Sequence, residues 1–264
     1  MSYQGKVVWL TGASSGIGEA LAYDLATRGA MLVLSARRAE ELERVKARCQ
    51  RPGNHMILPL DLADWTDFAA KVAEVEARFG HIDILFNNAG ISQRSLARDT
   101  TIDVDRRLME VNYLGTVALT KTVLPSMLRR KQGHIATITS VAGKLGTPMR
   151  SGYAASKHAL HGFFDSLRAE VWRENVRISL ICPGFIKTNL PLVALTGDGS
   201  PQGKMDNAQA KGMEPADFAR RTLDALARGR DEVVVGGAKE HMGAWLKRFA
   251  PGLLARALRT AKVT

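Results

Sequence analysis

The sequence predicts an α/β fold, a single domain built on one doubly wound, seven-stranded parallel sheet flanked by helices. Three observations predict it. Short apolar runs rich in β-formers alternate with amphipathic helical stretches along most of the chain. The first such run passes straight into a glycine-rich turn that opens a helix. The 264 residues contain no linker, internal repeat or low-complexity block that would divide them. The domain is expected over residues 1–238, followed by a basic amphipathic tail over 239–264.

Residues 6–11 (KVVWLT) read as the first buried strand. Gly12-Ala13-Ser14-Ser15-Gly16-Ile17-Gly18 follows at once. Residues 19–28 then place Ala20, Leu21 and Leu25 on one apolar face, and Gly29 closes the helix. Strand, glycine turn and helix together are the setting a phosphate-binding loop requires. Gly12 permits the tight turn, Gly16 lets backbone approach a pyrophosphate, and Gly18 lets the helix pack close to the strand. Ser14, Ser15 and Ile17 complete the loop, and the helix N-terminus offers free N–H groups and a positive dipole end. Residues 31–36 form the second strand. Dinucleotide sites that select NAD place a carboxylate at the end of this strand. Here the chain reads Ser35-Ala36-Arg37-Arg38. Two guanidiniums suit the 2′-phosphate of NADP(H), with NAD(H) as the lesser alternative. Otherwise they merely open the solvated helix expected over 38–50.

Residues 55–60 form the third strand, ending in Asp61-Leu62. Asp61 either reaches an adenine amino group or caps the helix expected over 64–79. Residues 82–86 form the fourth strand, and Asn87-Asn88-Ala89-Gly90 gives adaptable backbone at the carboxyl end of the sheet. A long helix is expected over 103–130, and Asn112 with Gly115 inside it predicts a local distortion. Residues 134–139 form the fifth strand and deliver Ser140. A helix over 153–173 leads to the sixth strand, 176–182, which Pro183-Gly184 stops. Residues 191–212 are rich in Gly, Ser and Pro and too long for an idle connection. They read as a mobile lid within about 188–213. A helix over 214–228 and a seventh strand over 232–235 complete the domain.

The chemistry concentrates in Ser140, Tyr153 and Lys157. Four residues is about one helical turn, so Tyr153 and Lys157 project from one face. A free tyrosine titrates near ~10 and exchanges protons poorly at neutral pH. An ammonium one turn away favours its phenolate. A serine at the end of the preceding strand can bond a substrate oxygen beside the phenol. Such a set moves a proton on or off an alcohol or carbonyl oxygen.

The bulk composition excludes several classes. No apolar run approaches the ~20 residues of a membrane span, and nothing at the N-terminus reads as a signal peptide. Cys49 and Cys182 make no disulfide framework, so a reducing, cytoplasmic setting is expected, with Cys182 a buried inert thiol. The six histidines show no metal-ligand spacing, and His158 and His161 are expected on the surface. The net charge of +11 raises nucleic acid as a partner, yet no basic block interleaved with aromatics, zinc finger or helix-turn-helix appears.

The motifs Thr11 to Gly18, Asn87-Asn88-Ala89-Gly90, Asn112, Ser140, Tyr153 with Lys157, and Pro183-Gly184 resemble, in order and spacing, those of the short-chain dehydrogenase/reductase family over about residues 5–236. Residues 34–49, 82–96 and 112–125 are similar to the dehydrogenase/reductase member 7 group, near the 11β-hydroxysteroid dehydrogenases. The resemblance implies a Rossmann-type domain that binds NADP(H) and acts on lipophilic carbonyls such as steroids or retinoids. It implies Tyr153 as general acid or base, and Lys157 as the group that tunes Tyr153 and holds the nicotinamide ribose. Ser140 would hold the substrate oxygen, and Asn112 a proton-relaying water. Asp61 and Asn88 would meet the adenosine half, with Leu62, Ala89 and Gly90 as further cofactor-binding positions. Thr188 would meet the nicotinamide amide, and Pro183 and Gly184 before it are further cofactor-binding positions. A homodimer or homotetramer through the helices 103–130 and 153–173 is implied as well. Substrate selection is expected from Gln93, Arg94, residues 144–150, Phe185 and the lid. The alternative is a non-catalytic NADP(H) sensor or scaffold, which the filled Ser-Tyr-Lys set argues against.

The tail carries six Lys/Arg against one Glu. Trp245, Leu246, Phe249, Leu253, Leu254 and Leu258 stand beside these cations, and Pro251-Gly252 divides the segment into two short helices. Such a pattern lies peripherally on an anionic membrane, or covers the protein's own site or a partner subunit.

Overall fold

The computed structural model describes residues 2–260. The first strand, β1 (Val7–Thr11), sends alternate side chains to opposite sides, and this divides the interior into two cores. Val8 and Leu10 join the core beneath one helical layer, while Val7 and Trp9 join the other. The remaining strands are β2 (Met31–Ser35), β3 (Met56–Ile57), β4 (Ile84–Asn87), β5 (Gly133–Ile138), β6 (Val176–Pro183) and β7 (Glu232–Val235). All pair in parallel in the order β3-β2-β1-β4-β5-β6-β7. Trp9 lies opposite Val33 on one side and Leu85 on the other. The strand order reverses between β1 and β4, so their carboxyl ends open a crevice there, the usual ligand position in such sheets.

The helices are α1 (Gly16–Thr27), α2 (Ala39–Arg48), α3 (Phe68–Phe79), α4 (Ile102–Met109), α5 (Gly115–Arg130), α6 (Ser151–Val171), α7 (Asn207–Ala210), α8 (Pro215–Ala227), α9 (Ala238–Phe249) and α10 (Pro251–Leu258). Leu21, Leu25 and Leu42 from α1 and α2, with Phe218 and Leu223 from α8, fill one core. Val75, Leu119, Val123, Leu160 and Phe164 from α3, α5 and α6 fill the other. Each fully buried aliphatic or aromatic side chain contributes roughly 1.5–3 kcal/mol.

The expected α/β class, strand number and parallel sheet are all present. Three local expectations differ, and a fourth, the distortion at Asn112, is met. Helix α3 begins at Phe68, not at residue 64, because Asp64 accepts from the N–H and hydroxyl of Thr66 (3.1 and 2.7 Å) and closes a turn of its own. Asp61 therefore caps no helix, and its Oδ1 accepts from the Ala63 N–H at 3.0 Å. Strand β3 has only two residues, although Leu58 N and Leu60 N still donate to Leu34 O and Ala36 O. The long helix is distorted at Asn112 as expected, a π-helical turn, Glu110–Leu114, dividing it into α4 and α5.

Residues 188–213 hold a short 3₁₀ turn, Leu190–Val193, and the four-residue α7. They are stitched down by single bridges, Gln93 to Leu195 and Ile186 to Met213, and by buried Asp206. In the tail, Pro251 starts α10 just after α9 ends. Leu254 is buried against Val141, Leu145 and Cys182, with Leu246 and Leu258 packed beside it. The other face leaves Met242, Trp245, Phe249 and Leu253 exposed. Residues 261–264 of the tail lie outside the described residues. Among the described residues no helix is long and apolar enough to cross a membrane.

Candidate active site

A cleft of about 1690 Å³ lies over the carboxyl ends of the strands. Of the catalytic and cofactor residues expected at the site, all but Asn112 line it; of those expected to select substrate, Arg94, Leu145, Thr147, Arg150 and Phe185 line it, while Gln93, Lys144, Gly146, Pro148 and Met149 do not. At one end is the turn from β1 to α1. Gly12 and Gly16 sit in the left-handed region, at φ 64° and 56°. A Cβ on Gly12 would stand 2.8 Å from Ala89 Cα, and one on Gly18 would stand 2.1 Å from Gly12 O. Glycine is thus required for the loop to close against β4 and for α1 to pack on it. Asn88 fastens the loop: its Nδ2 donates to Thr11 O at 2.9 Å and Gly12 O at 3.2 Å. Ser15 precedes α1 without a side-chain cap, leaving first-turn N–H groups directed at the cleft.

Exposed Arg37 and Arg38 follow β2 and line the same end. Arg44 was not foreseen. It bonds Glu19 Oε1 (2.7 Å), Glu41 Oε2 (2.8 Å) and Ser14 O (3.0 Å), tying α2 to the glycine loop. Its i+3 spacing from Glu41 was the only signal in the sequence.

Helix α6 carries Tyr153 and Lys157 into the middle of the cleft. The Lys157 Nζ lies 5.9 Å from the Tyr153 ring centroid and donates to Ile138 O at 3.1 Å. Burial pushes this ammonium down to about 8. Ser140, at the end of β5, stands in the same cleft wall, with its Oγ accepting from Ala142 N at 3.0 Å. Asn112 sits one layer behind. Its Oδ1 accepts from Ile91 N at 2.8 Å, and its Nδ2 donates to Ile91 O and Ser156 Oγ, both at 3.0 Å. A Cβ on Gly90 would stand 3.0 Å from Asn112 Oδ1 and 3.4 Å from Lys157 Nζ, so the amide and the ammonium converge on that glycine.

Gln93 does not reach the cleft. It is fully buried, and its Oε1 accepts from the N–H groups of Gly152 (2.9 Å) and Tyr153 (3.2 Å) while its Nε2 donates to Thr100. It anchors the first turn of α6, taking N–H groups that have no partner within the helix. His161 also departs from its expected surface position. Being four residues beyond Lys157, it shares the inward face, 3.1 Å from Thr139 Oγ1 and 3.7 Å from Cys182 Sγ, and burial lowers it to about 4. His158 is exposed, as expected. Burial raises the Cys182 thiol to about 11, so it stays protonated. Thr188 packs on Gly16 and its hydroxyl accepts from Gln209, and Phe185 lies under the Arg150 guanidinium at 5.4 Å.

Residues 6–193 match the family model of the short chain dehydrogenases. The chain belongs to that family. This short-chain dehydrogenase is 50% identical over 255 residues to the dehydrogenase/reductase SDR family protein 7-like of Anopheles gambiae, covering 94% of this chain and 80% of the relative. It is 46% identical to human dehydrogenase/reductase SDR family member 7 over 251 residues, 93% and 74% of the two chains. Among solved structures, a short-chain dehydrogenase from Burkholderia phymatum in complex with NAD superposes with a TM-score of 0.84 at 25% identity, over 96% of each chain. Levodione reductase superposes at 0.81 and 27% identity, over 90% of this chain and 98% of its own. The family's generic activity is hydride transfer with a nicotinamide dinucleotide, so the chain is an oxidoreductase of that kind.

Proposed function

We propose that this short-chain dehydrogenase interconverts a ketone or aldehyde and its alcohol on a fairly apolar substrate, using NADP(H). The observation that carries the reading is the convergence of Ser140, Tyr153 and buried Lys157 in one cleft with the glycine cradle. The cradle fits a dinucleotide. The first-turn N–H groups of α1 would hold the pyrophosphate, Asp61 and Ala89 the adenosine, and Thr188 the nicotinamide amide. When bound, the nicotinamide gives or takes the hydride.

The chain's own residues do the rest. Ser140 Oγ holds the substrate oxygen beside the Tyr153 hydroxyl. In reduction Tyr153 donates its proton to that oxygen, and in oxidation it takes it back. The Lys157 ammonium stabilises the phenolate formed. Asn112 and Lys157, meeting at Gly90, mark the route by which the proton is replaced. The apolar wall of Val141, Leu145, Val193 and Leu254 suits a lipophilic substrate. Oxidation of NADPH by a panel of steroids, retinal, quinones and small ketones tests the reading; a protein inert to all of them contradicts it.

Arg37 and Arg38 support NADP(H) over NAD(H), since Glu19 and Glu41 already occupy Arg44. Arg37→Asp with Arg38→Leu is expected to lower the NADPH/NADH ratio of kcat/KM by about 10²-fold, the loss of two charge-assisted bonds. An unchanged ratio refutes the assignment.

The exposed face of α9 and α10 supports peripheral attachment to anionic membrane. Trp245 and Phe249 stack at 5.3 Å, flanked by exposed Lys247, Arg248 and Arg256. Trp245→Ser with Phe249→Ser, both on the surface, should abolish co-sedimentation with phosphatidylserine vesicles while leaving the fold intact. Equal, negligible binding by both proteins sinks the idea. Assembly into a homodimer or homotetramer through residues 103–130, which form α4 and α5, and through α6 belongs to the same reading.

A further inference from the structure

Helix α6 carries the phenol of Tyr153 in its first turn, as its third residue after Ser151 and Gly152. The N–H groups of that turn find no carbonyl within the helix and need acceptors from elsewhere. Helices commonly take one from the residue just before them, a Ser, Thr, Asp or Asn whose oxygen accepts from the second or third N–H. Here the preceding residue is Arg150, whose guanidinium only donates. The acceptor comes instead from Gln93, 59 and 60 residues back along the chain, through Oε1 to Gly152 N at 2.9 Å and Tyr153 N at 3.2 Å. These are the second and third N–H groups of the helix, so Gln93 does the work of a cap from outside it.

Gln93 is itself firmly mounted. Its side chain is fully buried, and Nε2 donates to Thr100 Oγ1 at 2.9 Å, a hydroxyl that donates in turn to Leu96 O at 2.8 Å. This commits the nitrogen end of the amide and leaves the oxygen end for the helix. The backbone is fastened on two sides. Leu195 N donates to Ser92 O and Arg94 N donates to Leu195 O, both at 2.8 Å, and Ser95 N donates to Met149 O at 3.1 Å. Residues 92–95 therefore run between the segment 188–213 and the entry of α6. Met149 at that entry is a non-glycine residue in the left-handed region, at φ 65°. Such strain persists only where the surroundings enforce it. On the other side of the first turn, a Cβ on Gly152 would stand 2.1 Å from Asp105 Oδ1, so α4 presses directly on the helix backbone.

We infer that Gln93 is a positioning residue of the reaction: by capping α6 from outside, it sets where the Tyr153 hydroxyl stands relative to Ser140 and Lys157. One of its two bonds ends on the N–H of Tyr153 itself, so a shift of the amide is a shift of the backbone from which the phenol projects. Misplacing a reacting group by about 1 Å costs roughly 10²-fold in rate. The inference rests on the reading of Tyr153 as the proton donor and adds to it the group that aims the phenol.

The test is steady-state kinetics of the full chain with NADPH and the compound of the carbonyl panel that wild type reduces fastest. Gln93→Met keeps the length and bulk of the side chain but removes the acceptor. Its kcat is expected to fall about 10²-fold. Its KM for NADPH should stay within about twofold of wild type, since the glycine cradle is untouched. Gln93→Glu keeps an acceptor for both N–H groups, at the end of the helix that favours negative charge, and is expected to recover kcat to within about tenfold of wild type. Thermal melting followed by circular dichroism establishes that each variant is folded at the assay temperature. Where Gln93→Met does not fold, Gln93→Ser, which leaves room for water at the two N–H groups, takes its place with the same expectation. A folded variant without the amide acceptor that keeps the wild-type kcat overturns the inference, and makes the amide a prop for stability alone. A Gln93→Glu variant no faster than the variant without an acceptor overturns it as well. If Gln93→Met turns over like wild type while Tyr153→Phe does not, this inference alone falls and the oxidoreductase reading stands; a wild type inert to the whole panel sinks both.

Discussion

Tyr153→Phe is expected to lower kcat by about 10²–10⁴-fold while leaving the affinity for NADPH nearly unchanged. The change removes one oxygen from a half-buried side chain on α6 and leaves the ring that faces Lys157. Among the described residues no hydrogen bond of the fold is lost with it, since the helix entry is held through the Tyr153 backbone N–H to Gln93. The loss therefore falls on the chemical step, where the substrate oxygen must receive a proton. Cofactor fluorescence titration beside steady-state rates separates the two effects. A variant that turns over normally shows that some other group moves the proton.

Lys157→Met is expected to cost activity by about 10²-fold or more, because the phenolate formed at Tyr153 loses its ammonium. The same change has a signature in stability. Lys157 titrates near 10.5 when unfolded and near 8 when buried in the folded chain. Between these values the unfolded chain binds a proton that the folded chain does not, so raising the pH favours folding. Below 8 both forms are protonated and the slope vanishes. Across the window wild type should gain about 3 kcal/mol over Lys157→Met, following the shift of its pKa. Urea unfolding of both proteins at several pH values measures this difference and cancels every other titration. A difference that stays flat with pH would mean that Lys157 is not desolvated in the folded state.

Much of this architecture is legible in the sequence where one residue type answers one physical demand. Gly12 and Gly16 adopt positive φ and Gly18 admits no Cβ, so the loop could be read from glycines alone. The Tyr153–Lys157 spacing admits one helical geometry, and Asn112 inside an apolar helix signals a local distortion, which takes the form of a π-helical turn. The less legible parts are those where one residue type fits several roles. The Gln93 amide serves a substrate or a helix N-terminus equally well, and only the fold places it behind α6. Asp64 could begin a helix, but the Thr66 hydroxyl offered it a closer partner. His161 lies at helical spacing from Lys157, a signal of burial that its polarity concealed. Asp206 meets Arg94 across 112 residues of chain, a pairing no local pattern encodes.

The segment 188–213 is held to the rest of the domain by buried charge. The sequence suggests a lid from its composition, yet Asp206 anchors that segment to Arg94 and Arg150 at the edge of the cleft. Any opening of the segment must separate a buried ion pair, a costly step.

The central claim is that a phenol beside a buried ammonium faces a nicotinamide carried on the glycine cradle. A crystal structure of the full chain with NADP⁺ tests it most directly. The account predicts the pyrophosphate on the first turn of α1, the 2′-phosphate between Arg37 and Arg38, the nicotinamide ribose bonded to Lys157 and the Tyr153 hydroxyl open to the nicotinamide face. A dinucleotide bound elsewhere, or one whose nicotinamide end lies away from Tyr153 and Lys157, would contradict it.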